Sequence, residues 1–182
     1  MHVVTTIILV AWVVFWIYWL AAAVGAKPGR TRWGCFAGLR VAIVLIVLLL
    51  VRARIFKGNT ITPDPWLEGI GLAIFTCGLA LAVWARRYLG RNWGTPMSEK
   101  VDPELVTTGP YARVRHPIYS GMILAMVGTA VAVSWYWLIA VALLGGYFVY
   151  SALVEERYMT ALFPDAYPAY KRSTKMLIPF VF

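Results

Sequence analysis

The sequence predicts an all-α fold, an integral membrane protein with about five transmembrane helices and a cytoplasmic C-terminal helical segment. Three observations predict it. Hydrophobic residues make up 61% of the 182-residue chain and the mean hydropathy is +0.72, well above the share of roughly half found in soluble domains. The apolar residues gather into separate runs, each near the ~20 residues that cross a hydrocarbon layer about 30 Å thick. Short stretches rich in Arg, Lys, Pro and Gly separate the runs. Such a chain has no room for a soluble domain beside its spans, so residues 1–182 are expected to form a single membrane domain. Its formal charge is +9, but the basic residues sit in short loops, where orientation and anionic lipid account for them and nucleic acid does not. Cys35 and Cys77 fall in or at apolar runs without metal-ligand spacing. Packing is their expected role, and no metal site is expected.

Residues 3–24 form the first span, with Trp12, Trp16 and Trp19 along it. Ala21-Ala22-Ala23 and Ala26 imitate a signal-peptide cleavage site, but the run exceeds the usual apolar core of about 7 to 15 residues and no Lys or Arg precedes it. A basic turn from Lys27 to Arg32 leads to a second span, residues 34–51. Arg40 within that span can snorkel back to the basic side, and Gly34 and Gly38 have the spacing that lets helices approach closely. Asn59, Thr60, Thr62, Pro63, Asp64 and Pro65 read as turn residues before a third span, residues 66–88, whose end Arg86 and Arg87 mark. The connection from Leu89 to Arg115 is the longest in the chain, and loops of that length are usually functional or disordered. Trp93, Leu105, Val106 and Tyr111 give it apolar material with which to fold back onto the membrane surface.

Residues 109–121, Gly-Pro-Tyr-Ala-Arg-Val-Arg-His-Pro-Ile-Tyr-Ser-Gly, are the expected entrance of a functional site. Gly109 and Pro110 break what precedes them, and Pro117 suits a first helical position because its missing N–H has no partner there. A helix is expected to start near His116. Its positive dipole end then lies beside Arg113, Arg115 and His116, an arrangement that binds an anionic group such as a carboxylate. The competing reading is a basic loop touching lipid headgroups.

The fourth span, residues 118–133, places Gly121, Ala125, Gly128 and Ala132 on one face, suited to short-range helix packing. After the aromatic turn Ser134-Trp135-Tyr136-Trp137 a fifth span runs to about Val154 and turns polar at Glu155-Glu156-Arg157. The last two spans are expected to form a tight hairpin, which returns Glu155 and Glu156 to the surface that holds Arg115 and His116. The alternative is that the two acids only form the solvated end of a long helix.

Five spans would put Lys27, Arg30, Arg32, Arg86, Arg87, Arg91, Lys100, Arg113, Arg115, Arg157, Lys171, Arg172 and Lys175 on one side and Arg52, Arg54 and Lys57 on the other. Thirteen against three places the richer side, with the C-terminus and the basic and acidic cluster, in the cytoplasm. For a prokaryotic source the membrane would be the inner or plasma membrane.

Gly109-Pro110-Tyr111, Arg115-His116-Pro117-x-Tyr119-x-Gly121, Glu155-Glu156, Phe163, Tyr167-x-x-Tyr170-Lys171 and Ile178-Pro179 resemble the isoprenylcysteine carboxyl methyltransferase family, which is related to the phospholipid methyltransferases. Leu89-Gly90-Arg91-Asn92-Trp93 resembles the upstream segment of bacterial members. The resemblance covers roughly residues 86–180 and implies an S-adenosylmethionine-dependent methyltransferase of the EC 2.1.1 class with a helical membrane fold. By the same resemblance residues 1–88 supply three spans and residues 89–182 the cofactor-binding core. His116, Tyr119, Gly121 and Glu156 would line the cofactor site, with Tyr111, Arg115, Glu155, Tyr167 and Tyr170 around it. Arg115 and Glu156 would carry the catalytic roles, the arginine holding a carboxylate acceptor and an acid of the Glu155-Glu156 pair assisting deprotonation of an amine. Tyr167 and Tyr170 have an alternative reading as interfacial anchors.

Pro164 stands where the family commonly has glycine, and Arg157-Tyr158-Met159 differs from the more acidic run of eukaryotic members. The acceptor is therefore open among an isoprenylcysteine-like carboxylate, a phospholipid amine and another lipophilic molecule in contact with membrane lipids. NADPH-dependent sterol reductases share a similar C-terminal pattern but carry many more spans ahead of it. A membrane protein that keeps the fold without turnover is the non-enzymatic alternative.

Overall fold

The computed structural model describes residues 3–24, 29–31, 64–94, 98–100 and 104–180. The expected second span, with Gly34, Cys35, Gly38 and Arg40, and the loop up to residue 63 lie outside the described residues. Among those described are five α-helices: α1 (Val3–Ala23), α2 (Pro65–Leu89), α3 (Pro117–Ala132), α4 (Trp137–Leu162) and α5 (Ala166–Ser173). Helices α1, α2 and α4 are long and apolar enough to cross a membrane. Helix α3 is apolar but has only 16 residues, fewer than a full crossing needs. Three expected spans thus have the length, the fourth is a shorter apolar helix, and the second is not described.

Local chemistry sets the helix ends. The Asp64 side chain accepts from the Trp66 amide at 3.0 Å, with Pro65 opening α2, which satisfies one otherwise orphaned N–H. Gly90, at φ 53°, closes α2 by donating to the Arg86 carbonyl, a backbone state open to glycine at little cost. Pro117 opens α3 directly after His116, as expected. Helix α4 does not end at Val154. It continues to Leu162, so Glu155 and Glu156 lie inside a helix and the turn-to-polar boundary was placed too early.

The all-α expectation holds, with one short strand pair beside the helices. Gly29–Thr31 and Ser98–Lys100 pair as a two-stranded antiparallel sheet of three residues each, with Gly29 opposite Lys100. This pairing joins the turn after α1 to the connection after α2, consistent with both lying on one side of the membrane.

The small-residue face of α3 is packed as its sequence suggests, but its partner is α2. A Cβ on Gly121 would meet the Gly78 carbonyl oxygen at 2.6 Å and the Ala82 amide nitrogen at 2.7 Å. One on Gly71 would meet the Ala132 nitrogen at 2.5 Å. The two backbones touch, so any side chain at these glycines forces the helices apart. The last two apolar helices, α3 and α4, are joined by the short turn over residues 133–136, but α3 packs more extensively on α2 than on α4. Helix α1 covers the other side of this pair: Ile8 packs with Phe75 and Ala125, Phe15 with Ala82 and Met122. Within it the Trp12 indole N–H donates to the Thr129 hydroxyl at 3.2 Å.

Arg86, expected only to mark the end of a span, is 4% exposed. Its guanidinium donates to the Ala22 carbonyl at 2.5 Å and the Gly90 carbonyl at 2.7 Å. It also lies 4.4 Å from the centroid of the Trp93 ring, which meets Trp19 edge-on at 5.6 Å. One cation thereby satisfies carbonyls at the ends of two helices and stacks on an aromatic ring. This knot fixes the end of α1 to the end of α2.

Candidate active site

The entrance segment begins with Gly109, whose φ of 61° and contact with the Tyr88 ring leave no place for a side chain. A 3-10 turn over Gly109–Ala112 follows. Residues 113–116 then run beside residues 174–177. Lys175 N donates to Arg113 O at 3.3 Å, Arg115 N to Lys175 O at 2.8 Å and His116 N to Met176 O at 3.1 Å. The Ser120 hydroxyl adds a bond of 2.6 Å to Leu177 O. The Arg115 and His116 amides, just before the helix start, are therefore taken by protein carbonyls.

The expected juxtaposition of basic and acidic groups is present. Arg115 Nε and Glu156 Oε1 are 2.6 Å apart, and Lys171 Nζ and Glu156 Oε2 2.7 Å. Arg115 also donates to Thr174 O at 2.6 Å and Lys171 O at 3.3 Å. The Glu156 side chain is 2% exposed, and a carboxylate so far from water persists only when paired and hydrogen-bonded. His116 lies between the two acids, Nδ1 3.6 Å from Glu155 and Nε2 3.6 Å from Glu156. Those separations are longer than hydrogen bonds, and Nε2 is buried with no hydrogen-bond partner. The Tyr119 hydroxyl donates to Glu155 Oε1 at 2.6 Å. Its ring stacks on His116 at 5.5 Å and on Phe148 at 4.9 Å. The reading of both acids as a solvated helix end is thereby overturned.

Helix α5 packs its tyrosines inward. Tyr167 and Tyr170 are buried, which corrects their reading as interfacial anchors, and the Tyr170 hydroxyl donates to the Tyr111 carbonyl at 2.6 Å. Burial pushes the Tyr170 hydroxyl up to about 12. It holds those of Tyr111 and Tyr167 further above the ordinary tyrosine value. All three stay neutral across the physiological range, able to donate and to present an uncharged ring.

These groups border a cavity of about 490 Å³, within the size range of small-molecule sites. Tyr111, Arg115, His116, Tyr119, Glu155, Tyr167 and Tyr170 all line it. Two expected site residues do not. Gly121 faces α2, where its missing side chain serves packing, and Glu156 sits behind the wall, clamped by Arg115 and Lys171. Of the paired acids, Glu155 is the one on the cavity, and Glu156 holds the wall in place.

Sequence reasoning passed over several wall residues. Lys171 appeared in the motif without a role. Trp16, Trp19 and Leu20 of α1, Met122 of α3 and Phe148, Tyr158 and Met159 of α4 supply apolar and aromatic wall. Asn92 and Glu104, joined by a bond of 3.3 Å, also line it. The tryptophans at positions 12, 16 and 19 recur at helical spacing, the one sequence signal that pointed to a shared face. Among the described residues no cluster of His, Cys, Asp and Glu suited to a metal ion occurs.

Comparison with known proteins accords with this architecture. The chain is 28% identical over 143 residues to the nickel-cobalt-cadmium resistance protein NccN of Alcaligenes xylosoxydans xylosoxydans, covering 77% of this chain and 64% of that protein. It is 27% identical over 143 residues to the cobalt-zinc-cadmium resistance protein CzcN of Cupriavidus metallidurans, covering 77% of this chain and 63% of that protein. The chain thus matches somewhat under two thirds of the length of these relatives. The sequence profile of the phospholipid methyltransferase family matches residues 67–166, a stretch that includes most of α2, the entrance segment, α3, α4 and both acids. With more than half of the chain matched, the protein belongs to the phospholipid methyltransferase family.

Proposed function

We propose that the protein is a multi-pass membrane methyltransferase that uses S-adenosylmethionine to methylate a lipophilic acceptor at the cytoplasmic face. One observation carries the reading: a single cavity joins a polar, aromatic-walled end, with Glu155, His116, Tyr111 and Tyr167, to an apolar end lined by Trp16, Leu20, Met122 and Phe148. A water-soluble cofactor suits the first and a hydrocarbon chain the second. The donor set fits the cofactor. Glu155 can accept from an ammonium or a ribose hydroxyl, the Tyr111 and Tyr167 hydroxyls can donate to a carboxylate, and the rings of Tyr119 and Tyr167 favour a nearby positive sulfur. His116, whose Nδ1 lies 3.6 Å from Glu155, adds a polar ring to this end. When bound, S-adenosylmethionine supplies an electrophilic methyl group; this chain's residues align the nucleophile and exclude water.

The family resemblance favours an isoprenylcysteine-like carboxylate as acceptor, which Arg115 would hold. A phospholipid amine is the second reading, and it has a specific support. Arg115 is already neutralised by Glu156, while the Glu155 carboxylate stands on the cavity and could take a proton from an amine. Incubation of detergent-purified protein with methyl-labelled cofactor and a total lipid extract tests the function. Label released as methanol by mild alkali identifies a carboxyl ester, and alkali-stable label in a phospholipid identifies N-methylation. No labelled lipid at all would overturn the enzyme reading. The membrane orientation is tested separately: a C-terminal reporter active only in the cytoplasm should work, and one inserted after Lys57 should be silent.

A further inference from the structure

The apolar end of the cavity has a depth that three helices report independently. Counted from the polar cluster, the lining residues run on α1 from Ala23 down to Trp16, from His116, which caps α3, to Met122, and on α4 from Glu155 to Phe148, with Tyr158 and Met159 beyond Glu155 on the polar side. Six or seven residues at 1.5 Å per residue is about 10 Å in each case. The wall therefore extends by that distance from the polar cluster toward the hydrocarbon layer. The polar ends coincide because α1 finishes against α2 at the Arg86 knot, where Ala22 O is bound. Leu20 is 69% exposed and Trp16 46% exposed, yet both line the cavity. Among the described residues the apolar end is thus open along the side of α1, where a bilayer would present acyl chains. Helix α1 also lies outside residues 67–166, the stretch that matches the family.

We propose that Trp16 and Leu20 of α1, with Met122 and Phe148, form the subsite for the acceptor's hydrocarbon chain, so that chain selectivity is set by a helix outside the family-matched segment. This rests on the proposed methyl transfer to a lipophilic acceptor. The chemistry recognised is a single extended hydrocarbon chain of an amphiphile whose reactive head lies at the Glu155 end. Each buried methylene favours binding by about fourfold. A wall about 10 Å deep then discriminates by chain length until the chain reaches its bottom.

The test has two readouts in nanodiscs of phosphatidylglycerol and phosphatidylethanolamine. The first uses a palmitic acid probe with a diazirine on its chain, followed by mapping of the crosslinked residues. Label should concentrate on Trp16, Leu20, Met122 and Phe148. It should fall at Met122 and Phe148 in Leu20→Trp, which fills the opening, and persist in Ile17→Trp, since Ile17 is 63% exposed on the same helix. Label spread evenly over the exposed face of α1 would overturn the subsite. The second readout is methylation of whichever lipid class is labelled, in a series of graded chain lengths. Leu20→Trp should shift preference to chains about two methylenes shorter, changing the ratio of rates by roughly tenfold. S-adenosylhomocysteine affinity should stay unchanged. An unshifted preference in a folded Leu20→Trp protein would overturn the assignment of selectivity. Absence of methylation on every lipid, with focused crosslinking intact, would sink the enzymatic reading and leave the chain site standing.

Discussion

Two buried arginines sit at helix ends in this protein, and their partners separate them. Arg86 is surrounded by the Ala22 and Gly90 carbonyls and the Trp93 ring, partners that neither titrate nor move independently of the backbone. Arg115 is held by the Glu156 carboxylate as well as by the Thr174 carbonyl, and it lines the cavity beside His116 and Glu155. Burial and charge are shared. The first knot joins α1 to α2 and can only be made or broken, whereas the second joins α3, α4 and the segment after α5 through groups whose charge can be answered by a ligand. A buried cation among carbonyls is a fastener, and one that shares a carboxylate with a lysine beside a cavity belongs to a site.

The comparison breaks or sharpens through five substitutions. Arg86→Met should have the largest effect, since two charged hydrogen bonds at roughly 1.5 to 3 kcal/mol each are lost. Thermal unfolding in detergent should fall steeply, while the protein that remains folded binds S-adenosylhomocysteine within about twofold of the parent. A stable Arg86→Met protein that lost the cofactor would merge the two arginines into one class. Glu156→Gln comes next: Arg115 and Lys171 lose their shared charge, the wall behind His116 loosens, and calorimetric titration should show the dissociation constant rising roughly 10 to 150-fold. Arg115→Lys should fail in the same direction, because an ammonium cannot span Glu156 and two carbonyls as the guanidinium does. The double variant should then cost less than the sum of the singles by about 1 kcal/mol or more; strict additivity would mean that the pair does not act as a unit.

Tyr119→Phe removes one hydrogen bond to Glu155 and keeps the stack with His116 and Phe148. Turnover should drop roughly tenfold with little change in melting temperature, given a charged bond of about 1.5 kcal/mol. Unchanged turnover would show that Glu155 needs no orientation. Lys171→Met should be mildest, since the lysine side chain is 50% exposed and such pairs contribute under about 1 kcal/mol. An effect equal to that of Glu156→Gln would make Lys171 a principal holder of the acid.

The entrance segment and the two acids were legible because their evidence is local: Pro117 opens a helix by its own chemistry, and Glu155 returns to His116 by counting residues across two helices. The partner of α3 was not legible in the same way. Gly121, Ala125 and Gly128 announce a close-packed face without saying which helix fills it, and Gly71 and Gly78 on α2 become its complement only when the backbones touch. For the same reason Gly121 was placed on the cofactor wall although its neighbour is Gly78. Arg86 looked like any terminal arginine, since the Ala22 carbonyl that it reaches is 64 residues away. The wall contributed by α1 was hidden more deeply. Trp16 and Leu20 resemble any lipid-facing residue until the cavity beside them is seen.

The bonds from residues 115–120 to the carbonyls of 175–177 also set an order of events during synthesis. The ribosome completes α3 and α4 well before residue 177 is made. Until then His116 N lacks Met176 O, the Ser120 hydroxyl lacks Leu177 O, and Arg115 lacks Thr174 O. A newly inserted chain therefore passes through an interval with its helices in the bilayer and its entrance segment unfastened. Cofactor competence should be acquired in a single late step as residues 174–177 dock, and a chain stalled before that step would occupy the membrane without being able to work in it.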